Sequence, residues 1–142
     1  MWQPRNPDFA ARTRASFADQ AVMATLGIAI ADISPGLVAL EMPFRADLVQ
    51  QHGFLHAGVI TTALDSACGY AAFSLMEEDA EVLTVEFKSS FLAPAKGLVF
   101  RFEGQVIRAG RTLMFTEGKT TNEKGTLIST LSATMMAVRK PL

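Results

Sequence analysis

A single cysteine, Cys68, denies the chain any intrachain disulfide, and only two histidines accompany it. That donor set builds no metal centre without help from scattered carboxylates, so no metal is expected. Cys68 lies on an apolar run and reads as a small buried core residue. Charge is scarce as well: 19% of residues are charged and the formal net charge is −1. Neither nucleic acid nor an anionic membrane finds an electrostatic footprint here. A surface this lightly charged, below the about 25% typical of soluble domains, points to burial in an oligomer. No glycine-rich phosphate loop or dinucleotide motif occurs, so no cofactor is implied. The N-terminal M-W-Q-P-R-N-P-D-F lacks the basic and apolar regions of a signal peptide, and a cytoplasmic location is expected. There is no internal repeat, and the length suits one domain spanning residues 1–142.

What the sequence does have is a stretch from Gln50 to Ala67, Q-Q-H-G-F-L-H-A-G-V-I-T-T-A-L-D-S-A. A polar loop with two histidines and two glycines turns into a long apolar run. Ile60, Leu64, Ala67, Cys68, Ala71 and Leu75 recur three and four apart, the period of a helix. From Leu48 to Met76 the one fully charged side chain is Asp65. A carboxylate in the middle of such a helix is costly to bury unless it is paired or put to use. Spanning a membrane with Phe54–Met76 would set Asp65 at the bilayer centre, costing about 2.5–3.5 kcal/mol. A buried helix of a water-soluble fold fits better. At the start of that helix stand His56, Ala57 and Gly58. The first N–H groups of a helix lack internal partners, and small residues let a ligand oxygen approach them. The helix dipole favours negative charge at the same end. An anion-stabilising helix start and one lone carboxylate together make a hydrolase kit.

Around this stretch the chain reads as helix, two strands, long helix, four strands. The first helix is expected from Asp8 to about Leu26, with Phe9, Phe17, Val22 and Leu26 toward the core and Gly27 as its stop. Strands follow at Ile28–Ile33 and Leu37–Phe44 around the turn Ser34-Pro35-Gly36, the second presenting Val38, Leu40, Met42 and Phe44 on one face. The central helix is expected to end near Glu77, Glu78 and Asp79. Four more strands are expected at about Val82–Leu92, Leu98–Arg108, Thr112–Thr121 and Thr126–Arg139, separated by turn-rich segments. Phe100 and Phe102 alternate with Arg101 and Glu103, the mark of a sheet with one wet face. One uniformly apolar helix must be surrounded, so an α+β fold with a curved antiparallel sheet wrapped around the long helix is expected.

The stretch resembles the H-G-G-(x)n-D motif of hotdog-fold acyl-CoA thioesterases, in the group related to the phenylacetate-degradation thioesterase PaaI. The matching positions are Gln50, Gly53, His56, Ala57, Gly58 and Asp65, with Gln50 in place of an Asn and Ala57 in place of the first Gly. The resemblance implies the hotdog fold and hydrolysis of a small or medium acyl-CoA thioester, aromatic acyl groups included. On that reading Ala57 and Gly58 offer backbone N–H groups to the thioester oxygen. Asp65 activates water or attacks as a nucleophile. Gln50 offers its amide to the thioester, His56 orients the loop or the thioester, and Thr84 helps to place the water. Coenzyme A carries phosphates, so Arg108, Arg111 and Lys88 are candidate contacts. Two other functions share the fold: a non-catalytic acyl-CoA-binding or sensing module, and a hydratase or dehydratase.

Spacing adds one expectation. Asp65 lies seven residues beyond Gly58, about 10 Å along a helix, whereas an oxyanion donor must sit roughly 2.7–3.1 Å from its oxygen. The carboxylate serving one helix start should therefore come from a second subunit, with two helices antiparallel across a two-fold axis. A homodimer, or a dimer-of-dimers tetramer, with shared active sites is expected.

Overall fold

The computed structural model describes residues 2–139. Six antiparallel strands form one sheet in the order β1-β2-β4-β5-β6-β3, and the long helix α3 lies against its concave side. The strands are β1 (Ala29–Ser34), β2 (Leu37–Pro43), β3 (Glu81–Phe91), β4 (Val99–Ala109), β5 (Leu113–Asn122) and β6 (Leu127–Val138). This is the hotdog arrangement, with α3 (Ala57–Phe73) as the enclosed element. Ile60, Ala63, Leu64, Ala67, Cys68 and Ala71 on α3 are fully buried, against Phe100, Phe102 and Met114 of the strands. The predicted period of the helix and the alternation on β4 both hold.

Glycine sets how closely helix and sheet approach. A Cβ on Gly104 of β4 would stand 2.4 Å from the Ala67 carbonyl carbon, and one on Gly118 of β5 would meet Leu64 and Cys68 at under 3.0 Å. Glycine thus leaves room for the Ala67–Cys68 backbone over β4 and for the Leu64 and Cys68 side chains over β5.

Four details differ from the sequence expectation. The first helix is broken at Gln20 into α1 (Phe9–Asp19) and α2 (Ala21–Leu26). Gln20 adopts an extended backbone, and its side-chain carbonyl accepts the Ser66 hydroxyl at 3.1 Å. The break turns α2 so that Met23 is buried, while Val22 is 41% exposed. Phe44 lies one residue past β2 and is exposed rather than in line with the buried Val38, Leu40 and Met42. Finally, α3 stops at Phe73, short of Glu77. Ser74 donates its hydroxyl to the Ala71 carbonyl at 2.7 Å and accepts the Gly36 N–H at 2.9 Å, which ties the helix end to the β1–β2 turn.

Strand β3 occupies one edge of the sheet and, among the described residues, pairs only with β6. Most of its residues are exposed, including Val85 (53%) and Phe87 (45%). An edge of this length with apolar side chains is a template for further pairing.

Candidate active site

The site is built on the flank of α3 that faces β3. Ala57, Thr61 and Asp65 recur every four residues and so form a stripe along one side of the helix. Alongside runs the inner face of β3. Thr84 donates its hydroxyl to Asp65 Oδ1 at 2.8 Å, and Ser89 and Thr61 share a hydroxyl–hydroxyl bond at 3.3 Å. A bulge between Thr84 and Glu86 makes this alignment. The extra residue, Val85, lets Thr84 face the helix while Glu86 turns to the outer face, where it accepts the Thr134 hydroxyl at 2.5 Å. Phe87, Ser89 and Phe91 then return to the helix side.

Asp65 is half-buried. Burial pushes its carboxyl above the ordinary carboxylate range, and the Thr84 hydrogen bond pulls it partly back. The bond uses one carboxylate oxygen, and Oδ2 has no hydrogen bond among the described residues. Cys68, one turn along on the packed flank, is no competitor as a nucleophile. Burial pushes its thiol up to about 12, so it stays protonated.

The loop before α3 is held by Gln50. Its side-chain carbonyl accepts the N–H groups of His52 at 2.6 Å and Phe54 at 3.3 Å, and its backbone pairs with Phe54 and Gly53. Gly53 takes the left-handed conformation, φ 84°, that closes this turn. With its carbonyl committed to the loop, the Gln50 amide has its NH₂ group left for other partners. His52 contributes its backbone N–H to the turn and is exposed.

His56 is the N-cap of α3, in extended backbone, and its Nδ1 accepts the Gly58 N–H at 2.8 Å. Accepting through Nδ1 places the ring proton on Nε2. The cap also divides the two expected donors. The Gly58 N–H is engaged by His56, whereas the Ala57 N–H has no partner among the described residues. Ala57 and Gly58 are both exposed.

The structure thus gathers Asp65 and Thr84 at one point and Gln50, His56 and Ala57 at another, about two helical turns away. The three cationic candidates join neither group within the chain. Lys88 lies opposite Ser132 and Arg108 opposite Phe115, both on the outer face of the sheet. Arg111 sits in the β4–β5 turn, where its carbonyl accepts from Arg139; the hydrogen bond from Arg139 is the main cause that holds the Glu77 carboxyl below the ordinary range, and the Arg111 charge adds the least. Glu77 follows the C-terminal end of α3, the opposite end from Ala57. The sequence reading missed Phe54, Phe91 and Leu92, which line a groove beside Ala57. Their side chains carry no chemistry of their own, so only their place marks them. Among the described residues no cluster of three or more histidine, cysteine, aspartate or glutamate residues could hold a metal ion. Nor is any described helix long and apolar enough to cross a membrane.

The sequence and the fold have known counterparts. Residues 52–129 match the Thioesterase superfamily model, a span that begins in the Gln50 loop and ends in β6. A solved thioesterase family protein from Silicibacter pomeroyi is 53% identical, with a TM-score of 0.90 over 93% of this chain and 99% of that one. The PaaI protein of Escherichia coli, from the phenylacetic acid degradation operon, shares the fold at 18% identity, with a TM-score of 0.86 over 92% of this chain and 94% of its own. A Saccharolobus solfataricus protein provisionally named an esterase is 32% identical over 100 residues, 70% of each chain. The chain belongs to the thioesterase superfamily and has its hotdog fold.

Proposed function

We propose that the protein hydrolyses acyl-CoA thioesters of small or medium acyl groups, at sites each shared by two copies of the chain. The observation that carries the reading is the presence, on one helix flank, of an Ala57 N–H without a partner among the described residues and of a hydroxyl-held Asp65. The Ala57 N–H meets the thioester carbonyl oxygen and stabilises the negative charge that develops there. The helix dipole adds to it. The free NH₂ of Gln50 holds the substrate from the loop side, and His56 keeps the helix start open by binding Gly58 rather than Ala57. Asp65 acts on water or on the carbonyl carbon itself, its basicity raised by burial and its direction set by Thr84. In the first route Asp65 takes a proton from water as the hydroxide adds, and returns it to the departing thiolate. In the second it forms an anhydride, expels the thiolate, and is freed by water. Single turnover in oxygen-labelled water separates the routes, since only the anhydride route can leave label in the Asp65 carboxylate.

Ala57 and Asp65 are eight residues apart, about 12 Å along the helix, too far for both to serve one carbonyl. A second copy, paired along the exposed edge of β3 with its α3 antiparallel, brings its Asp65 to this chain's helix start. Such pairing also covers Val85 and Phe87.

Mixed dimers test the whole reading. Ala57→Pro removes the open N–H at the first helical position, where proline is tolerated, and His56 already has the extended backbone that proline requires before it. Each single variant, Ala57→Pro or Asp65→Asn, should lose turnover. Co-expressed, they form dimers with one doubly damaged site and one intact site, and about half the activity per mixed dimer returns. Mixed dimers, verified by mass, that stay as inactive as their parents would sink the shared site. Absence of thiol release by the wild type from every acyl-CoA tried would leave a binding module instead.

A further inference from the structure

The Thr84 hydroxyl meets two acceptors. It lies 2.8 Å from Asp65 Oδ1 and 3.5 Å from the sulfur of Met135. Met135 of β6 stands directly opposite Thr84 of β3, just ahead of the bulge, and opposite Met114 of β5 on its other side. Both methionines are fully buried, so the core fixes where the sulfur sits. Leucine would fill much the same space, but a thioether also brings a lone pair to it. Asp65, Thr84 and Met135 belong to one chain, and their contacts stand without a second copy.

A hydroxyl has one proton to give. While Asp65 is ionised, the charge-assisted bond to its carboxylate is the stronger, and the sulfur is idle. Protonated Asp65 is a weaker acceptor and is itself a donor toward Thr84 Oγ1. The hydroxyl proton then turns to the other acceptor it meets among the described residues, Met135 Sδ. No proton passes to sulfur; the hydroxyl only reverses its direction. Thr84 is exposed in the single chain, and water competes with the sulfur there until a second copy covers the edge of β3. Other titratable groups bear little on this trio. Burial and the Thr84 bond are the two causes that displace the Asp65 carboxyl. On α3 the Cys68 thiol stays protonated, and on β3 Glu86 lies past the bulge on the outer face. The N-terminal helices present the neutral Gln20 to Ser66, beside Asp65. In the proposed dimer a second copy adds its helix start, where His56 is the titratable side chain, the same in wild type and variant.

We infer that Met135 is a positioning residue for Asp65, its sulfur holding the Thr84 hydroxyl whenever Asp65 carries a proton and releasing it when Asp65 ionises. The inference rests on the proposed role of Asp65, but its test reads ionisation rather than turnover. Carbon-13 NMR of labelled aspartate follows the Asp65 carboxyl through a pH titration in wild type, Met135→Leu, Thr84→Val and the double variant. Leucine for methionine is a volume-conserving exchange that cores tolerate. Met135→Leu takes support from the protonated form, so Asp65 should titrate at lower pH than in wild type, the reverse of Thr84→Val. In the Thr84→Val background the same exchange should leave the titration where it is, because the sulfur acts through the hydroxyl. If Met135→Leu does not fold, norleucine incorporation replaces the sulfur of all seven methionines by a methylene and gives the same two comparisons. A titration that stays in place or rises on loss of the sulfur overturns the inference. So does an equal shift with and without the Thr84 hydroxyl, which is packing alone. Thiol release is read separately. The expected shifts without any release by the wild type keep Met135 in this role and remove the hydrolase. Release by a wild type whose Asp65 ignores Met135→Leu keeps the hydrolase and removes the role of Met135.

Discussion

The two flanks of α3 obey opposite rules. The flank toward β4 and β5 is all apolar, fully buried, and met by glycines, Gly104 against the backbone of Ala67 and Cys68 and Gly118 against the side chains of Leu64 and Cys68. The flank toward β3 carries Thr61 and Asp65, and hydroxyls on β3 meet both of them. The first flank lowers the free energy of the fold by removing apolar area from water and closing voids. The second holds a carboxylate in surroundings that disfavour its charge. One helix thus carries a packed flank and, about a third of a turn round, a polar one, and on the proposed function substitutions on its two sides should fail in different ways.

The sharpest break in that comparison is Asp65→Asn. Turnover should drop by about 10²–10⁴-fold, as for loss of a catalytic acid–base group, with circular dichroism unchanged. On the packed flank, Gly104→Ala should do the reverse. Its Cβ would press on the backbone of Ala67 and Cys68 at about 2.5 Å. Neither atom can rotate away, so denaturant unfolding should register a loss of about 3 kcal/mol. Activity per folded molecule should change much less.

Thr84→Val sharpens the account of the open flank at moderate cost. It removes the hydrogen bond that lowers the Asp65 pKa and leaves burial unopposed. The acid limb of the pH–rate profile should move to higher pH, with a rate loss on the order of tenfold at neutrality. An unmoved limb would separate Thr84 from the ionisation of Asp65.

Stability against pH gives a smaller but signed effect. The folded-state pKa of Asp65 lies above its ordinary 3.8, so the folded chain binds the proton more tightly than the unfolded one. The contribution of Asp65 to stability is then fully present below that ordinary value and is lost as pH rises through the folded-state pKa. Asp65→Asn should accordingly be more stable than wild type at pH 7, and the gain should fade as pH falls toward the ordinary carboxylate value. Urea midpoints at several pH values read this directly. The least effect is expected for His56→Ala, about 1 kcal/mol from loss of the N-cap bond to Gly58, again by urea unfolding.

Much of this was legible in the sequence. The period of Ile60, Leu64, Ala67, Cys68 and Ala71 is enough to make a helix buried on one side, and Asp65 stands out there because no other charge does. The alternation of Phe100 and Phe102 with Arg101 and Glu103 likewise sets a sheet with one face inward. These are local properties, carried by spacing and side-chain polarity alone. Other features depend on partners distant in the chain. The break at Gln20 goes with Ser66, and the stop at Phe73 with Gly36. That Gly58 is engaged and Ala57 open follows from one ring nitrogen of His56, which no spacing rule distinguishes. The bulge at Val85 reverses which residues of β3 face the helix, and only pairing with β6 shows it. Strand residues such as Thr84 and Phe91 have no periodic signature of function. Thr84 comes to stand beside Asp65, and Phe91 beside Ala57, where the sheet curls back on α3, and that approach depends on the pairing of strands distant in the chain.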